Sequence, residues 1–246
     1  MTSYHGGKQR IGLQIAEYIH YIYSQIPEKD KFPIKGYCEP FAGMLGVYRH
    51  IPNLFDDDKL IYLAGDTNES VIKMWNRAKN GWIPPSHTTE KEYERLKTAT
   101  PSALKGYIGH QYSFGGQFFM GYATKYGKTP DSSRASQNIV KIAYELNRVK
   151  FSWGSYTQFS HLKNFIIYCD PPYENSSQRY TQMGGFSSTE FWDWCRKMSR
   201  NNIIFVSSYE APKDFIEVMS SSHKLTGVIH SGANKKRTEK LYVLFT

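Results

Sequence analysis

The sequence predicts an α/β fold: a Rossmann-like sheet with helices on both faces and one mainly helical insertion. Three observations carry this. Short β-branched and aromatic runs alternate with segments whose apolar residues recur at helical spacing. Two of those runs end at an acid, Asp66 in AGDTNES and Asp170 in YCDPPYENSS, and the strand ends of open α/β sheets are where ligands bind. The alternation lapses over residues 73–150, where polar and basic helical patterns replace it.

Residues 8–24 bring Ile11, Ile15, Tyr18, Ile19 and Ile22 onto one helical face, and the pattern stops before Pro27. Strand-like runs follow at 36–39 and 60–64, then a helix at 70–79. Residues 90–97, 102–112 and 134–150 read as helices of the insertion, with the stretch GGQFFMGYATKYGK between the second and third. Beyond it come strands at 165–169, 203–207, 227–230 and 241–245, with helical patterns at 188–198 and 213–219. The chain therefore divides into a sheet domain, residues 1–72 and 151–246, and an insertion, residues 73–150. A length of 246 residues suits one domain carrying an insertion better than two separate domains.

Composition excludes several classes. No apolar run approaches the roughly 18 residues of a membrane span, and the N-terminal MTSYHGGKQR lacks the apolar core of a signal peptide. A soluble, unsecreted protein is expected. Cys38, Cys169 and Cys195 are odd in number and two lie in strand-like runs, which fits buried thiols in a reducing intracellular compartment, cytoplasm or nucleoid, with a viral or nuclear setting also open. Their spacing does not suggest zinc. Residues 73–150 hold 13 Lys and Arg against 5 Asp and Glu, which is +8 of the formal +9. Trp82, Tyr107, Tyr112, Phe114, Phe118, Phe119, Tyr122 and Tyr126 are interleaved with these cations. Rings stacking on bases beside phosphate-binding cations is one reading; an aromatic core under a solvated basic face is the other. Composition favours a nucleic acid partner.

Two stretches carry chemistry. The run Phe165-Ile166-Ile167-Tyr168-Cys169 reads as a buried strand and stops at Asp170-Pro171-Pro172-Tyr173. Each proline lacks an N–H and holds φ at about −65°, so the backbone leaves the sheet stiffly, with an acid, free carbonyls and a ring held together. Earlier, Glu39-Pro40-Phe41-Ala42-Gly43-Met44-Leu45-Gly46 follows the first strand. Its glycines allow close backbone approach to a ligand, although the motif is not GxGxxG and equally suits a plain strand-to-helix turn. Asp66, about twenty residues on, can hold a ribose diol, cap the next helix, or do both.

The ordered set YHGGK, EPFAGMLG, Asp66, insertion, DPPY and ANKKRTEKLYVLF resembles the Dam-like (alpha-group, D12-class) DNA adenine-N6 methyltransferases over nearly the whole chain. The resemblance implies a Rossmann-like methyltransferase sheet, S-adenosylmethionine as cofactor, double-stranded DNA as partner, and no metal. It implies that Tyr4, Gly6, Gly7 and Lys8 meet the methionine end of the cofactor. Phe41, Ala42 and Gly43 then line the loop beneath it, Asp66 holds its ribose, Tyr156 lies against its adenine, and Asp170 borders it as well. Relatives often carry an Asp before that aromatic, where this chain has Ser155. An adenine N6 amine is a poor nucleophile because its lone pair is delocalised. The resemblance implies that the Asp170 carboxylate and Pro171 carbonyl accept its two hydrogens, with Pro172 stiffening the turn and Tyr173 stacking on a flipped-out base.

The same comparison reads residues 180–186, YTQMGGF, as a segment closing over the base or a plain surface loop, and 231–237 as a basic DNA-contacting loop or a solvated one. Lys125, Tyr126 and Lys128 are expected in a hairpin-like stretch near DNA, with Lys128 on phosphate and Arg134 reading a base. Two other readings stay open: a methyltransferase acting on cytosine N4 or RNA adenine, and a DNA-binding module with the same fold. Asp170 at the head of the tetrapeptide and the basic insertion favour adenine in DNA.

Overall fold

The β-branched and aromatic runs pair into one seven-stranded sheet. In the computed structural model, which describes residues 4, 6–29, 31–55, 57–124, 132–172, 186–222 and 238–244, the strands are β1 Gly36–Glu39, β2 Ile61–Asp66, β3 Val149–Trp153, β4 Phe165–Cys169, β5 Ile203–Ser208, β6 Ile216–Ser222 and β7 Thr238–Leu244. Their order is β3-β2-β1-β4-β5-β7-β6. Strands β1 to β5 are parallel, and β7 enters antiparallel between β5 and β6. This is the doubly wound Rossmann-like order 3-2-1-4-5-6 with β7 slotted in before the last strand.

Helices cover both faces, so the central strands β1 and β4 are buried along their whole length. They are α1 Gly12–Gln25, α2 Ile51–Phe55, α3 Glu69–Lys79, α4 Glu90–Thr98, α5 Ala103–Gln111, α6 Ser133–Ala143 and α7 Ser188–Ser199. Successive strand residues alternate between two cores. Tyr37, Tyr62, Ile166, Tyr168 and Phe205 pack with α1 (Ile15, Ile19) and α3 (Val71, Met74, Trp75). Cys38, Ile167, Cys169, Ile204 and Val206 pack with α7 (Phe191, Trp194, Cys195, Met198). All three cysteines are buried and free.

Helices α4, α5 and α6 share the first of these cores: Tyr93, Leu96, Tyr107, Ile108, Tyr112, Ile139 and Ile142 are continuous with Trp75 and the sheet. Helix α5 lies so close to α3 that a Cβ on Gly106 would run into the Ser70 carbonyl. The aromatic content of this region is therefore mainly structural, which corrects the expectation of base-stacking rings. Tyr107, Tyr112 and Phe119 are buried, Trp82, Phe118 and Tyr122 are half-buried, and Phe114 alone among the described members of that set is exposed, at 61%. Tyr126 falls outside the described residues.

Two expected helices are corrected. The pattern at 134–150 ends as helix at Ala143, passes through a single 3-10 turn, Tyr144–Leu146, and becomes β3 at Val149. Leu146 and Val149, three apart and both buried, prolong the helical spacing across the boundary. The pattern at 213–219 is mostly strand β6. Phe215, just before β6, and Met219 are both buried four residues apart, a spacing that a strand and a helix share, although they pack in different cores; the pairing of β6 with β7 shifts register between Glu217 and Met219. The strand expected at 227–230 lies outside the described residues. No described helix is long and apolar enough to cross a membrane.

Trp75 ties this core to the loop after β1. It is fully buried, and its indole N–H donates to the Gly43 carbonyl at 2.8 Å. Trp75→Phe keeps the ring packing and leaves that carbonyl without its donor, so the variant should lose about 1–3 kcal/mol in urea unfolding with an unchanged slope.

Candidate active site

The strand order reverses between β1 and β4: β2 and β3 lie to one side, β5 to the other. The C-terminal ends of β1 and β4 therefore flank a crevice, the place where open α/β sheets bind ligands. The Pro40–Gly43 turn leaves one end and Asp170-Pro171-Pro172 leaves the other.

Hydrogen bonds from β2 shape the turn after β1. The Ala42 N–H donates to the Gly65 carbonyl (2.7 Å), and the Gly43 N–H donates to Asp66 Oδ2 (2.9 Å). The other Asp66 oxygen accepts from the Asn68 N–H at 2.8 Å. Burial raises the Asp66 pKa above the ordinary carboxylate value, and these two N–H groups oppose the rise. The cap of α3 is Asn68, whose side chain accepts from the Ser70 N–H, so Asp66 organises the turn rather than capping the helix. Gly43 has φ of +43°, and a Cβ there would come 2.9 Å from the Tyr4 ring. A Cβ on Gly46 would come within 3.0 Å of the Lys8 backbone. Both glycines thus let the N-terminal segment lie directly on the turn.

That segment delivers Lys8 into the crevice. Lys8 is only 4% exposed, and its Nζ donates to Asp170 Oδ1 (2.6 Å) and Oδ2 (2.7 Å) and to the Gly6 carbonyl (2.8 Å). Glu239 Oε1, on β7, lies 2.9 Å from the same nitrogen. Burial works against the charge, but the Asp170 and Glu239 carboxylates more than offset it and hold Lys8 well above the ordinary lysine pKa. Glu39 at the end of β1 is buried and accepts from the Tyr37 hydroxyl at 2.8 Å. Burial, aided by the nearby Asp170 charge and only partly opposed by the Tyr37 hydrogen bond, raises its pKa to about 8, so it is mostly protonated at neutral pH.

The aromatic candidates also converge. Phe41 and Tyr156 stack with ring centroids 5.6 Å apart, beside Phe186 and Phe191. Ser155 Oγ accepts from the Thr157 N–H at 3.4 Å. The structure thus brings Tyr4, Gly7, Lys8, Ala42, Gly43, Asp66 and Asp170 into one connected set, with Phe41 and Tyr156 together beside it. Pro171 is buried, Pro172 half-buried and Gly6 exposed. Tyr173, residues 180–185 and 231–237, and Lys125, Tyr126 and Lys128 lie outside the described residues. Arg134 is exposed on α6.

Two residues escaped the sequence reading. Glu239 sits in an ordinary strand-edge pattern, TEKLYVL, and only pairing with β5 through β7 carries it to Lys8. His110 lies on α5 with its ring centroid 4.5 Å from that of Tyr4; burial lowers its pKa to about 4, so it is neutral, and its Nδ1 donates to the Gly116 carbonyl at 3.0 Å. No local signal distinguishes this histidine from a plain core one. Among the described residues no group of three or more His, Cys, Asp or Glu is arranged to hold a metal ion.

Residues 117–234 match the family described as D12 class N6 adenine-specific DNA methyltransferases. The match supports methyl transfer as the activity of this chain. The matched segment holds β3, β4, Asp170 and α7, whereas Lys8, the Pro40–Gly43 turn and Asp66 precede it and join it through the contacts above. No curated protein sequence matches significantly. Similar solved structures include the rRNA methyltransferase aviRa from Streptomyces viridochromogenes, at 10% identity and TM-score 0.39, covering 94% of this chain and 84% of that one. TrmN from Thermus thermophilus is 9% identical with TM-score 0.41, covering 94% and 48%. SMU.472, complexed with SAH, is 10% identical with TM-score 0.35, covering 98% and 55%. This methyltransferase spans about half the length of the last two chains.

S-adenosylmethionine is the cofactor of this class, and its sulfonium supplies an electrophilic methyl group. The crevice suits it: a buried acid at the end of β2, a turn held open by glycine, and a half-buried aromatic pair. Asp66→Ala should weaken S-adenosylmethionine binding about tenfold by calorimetry, equivalent to one hydrogen bond, with a smaller loss of saturated turnover. An unchanged dissociation constant would remove Asp66 from the pocket. Glu39 makes a second prediction. Its carboxyl ionises near its ordinary 4.5 in the unfolded chain and near 8 in the folded one. Between those values the folded chain alone holds the proton, so this group lowers stability as pH rises from about 4.5 to about 8. Glu39→Gln should therefore raise stability relative to the parent more at pH 8.5 than at pH 5, measured by urea unfolding at both.

Proposed function

We propose that this methyltransferase acts on the N6 amine of an adenine flipped out of double-stranded DNA. The observation that carries this reading is Asp170: a carboxylate at the end of a buried strand, at the switch point of the sheet, followed by two prolines that stiffen its backbone. Acceptors held there favour the pyramidal amine whose lone pair is free to attack. In this reading Asp170 and the Pro171 carbonyl take the two amine hydrogens, and Tyr173 stacks on the base. Once methylated, the nitrogen carries a positive charge until one hydrogen leaves as a proton to the Asp170 carboxylate.

DNA as the substrate is supported by the +8 balance of residues 73–150. Residues 73–150 serve as the target-recognition insertion and residues 1–72 and 151–246 as the catalytic domain. Exposed Arg134 and Phe114 are its candidate contacts, with Lys125, Tyr126 and Lys128. Three unpaired thiols suit a reducing intracellular compartment.

Asp170→Ala should lower single-turnover methyl transfer to duplex DNA by about 10²-fold or more, while S-adenosylmethionine affinity changes far less. Digestion of the product to nucleosides should yield N6-methyl-2′-deoxyadenosine. N4-methylcytosine, transfer to RNA alone, or a variant as fast as the parent would overturn the reading.

A further inference from the structure

A lysine ammonium has three N–H donors. On Lys8 they face the Asp170 carboxylate, the Glu239 carboxylate and the Gly6 carbonyl. Both Asp170 oxygens are within 2.7 Å of Nζ, so the acceptors that a target amine needs are engaged by Lys8 in this conformation. If Asp170 were the sole counter-charge, turning its oxygens toward the amine would strand a buried ammonium, which a low-dielectric interior strongly disfavours. Glu239 changes that balance. It reaches Nζ from β7 at 2.9 Å, whereas Asp170 approaches from the end of β4.

We propose that Glu239 is a positioning residue for methyl transfer: it keeps the Lys8 ammonium paired and in place while Asp170 turns its oxygens from Lys8 to the amine hydrogens of the base. The inference rests on the function proposed above.

Glu239→Gln should lower the single-turnover rate about tenfold at saturating S-adenosylmethionine and DNA, with both dissociation constants within about twofold of the parent. In a Lys8→Met background the same substitution should change the rate by less than about twofold, because Glu239 acts through Lys8. Glu217→Gln, which breaks the exposed Lys240–Glu217 pair on the same ladder, should leave the rate unchanged and serves as the control. A folded Glu239→Gln variant at the parent rate, or an equal loss in both backgrounds, would overturn the proposal. If Glu239→Gln does not fold, Glu239→Met, of similar volume, takes the same comparisons. A readout independent of substrate is the ¹⁵Nζ resonance of Lys8, expected sharp at neutral pH in the parent and exchange-broadened in Glu239→Gln. A parent that keeps this resonance but methylates no adenine refutes the proposed function and leaves the Lys8–Glu239 pairing intact; an unaltered resonance in Glu239→Gln refutes the pairing itself.

Discussion

A buried ammonium needs counter-charges, and meeting that need at Lys8 connects parts of the chain that are far apart in sequence. Its nitrogen joins the segment before α1, the end of β4 and the start of β7. None of these is local to another, so the ion cluster forms only when β7 has entered the sheet beside β5 and the N-terminal segment has settled on the turn after β1. The glycines at 43 and 46 make that settling possible, since side chains there would meet the Tyr4 ring and the Lys8 backbone. Charge and close packing therefore act on the same crevice. Assembly of the site is tied to completion of the fold.

The turn after β1 is held in a comparable way. Its backbone bonds to Gly65 and Asp66 on one side and to the Trp75 indole on the other, so its shape is fixed from β2 and α3 rather than by its own sequence. Leu45, buried with φ of +51°, shows how far the surroundings override local preference there. A turn built this way is held in its shape before any ligand arrives.

Much of the scaffold was legible because the central strands are buried on both faces and read as uninterrupted apolar runs; β1 and β4 fall where the residues put them. Asp66 and Asp170 were legible for the same reason, since each follows such a run. The errors have physical causes. Phe215 and Met219 stand four apart, a spacing common to strand and helix, and Leu146 and Val149 carry a helical rhythm into β3. Ring composition in the insertion could not separate core from contact surface, because Tyr107 and Tyr112 are as basic in sequence context as Phe114 is and differ only in what packs on them. Glu239 and His110 were illegible because their significance lies wholly in long-range contacts: β7 pairing for one, the Tyr4 ring for the other.

The shared core between α3, α5 and the sheet has an evolutionary and engineering meaning. A recognition segment built as an independent cassette can be exchanged between relatives without touching the catalytic body. Here Gly106 presses on the Ser70 carbonyl, and Tyr107, Ile108 and Tyr112 fill the same interior as Trp75, so transplanting the segment would open a void behind the methyl-donor turn. If the segment reads DNA as proposed, its sequence preference is free to drift on outward surfaces such as those of Arg134 on α6 and Tyr144 just after it. Altered specificity would have to arise by resurfacing those positions in place.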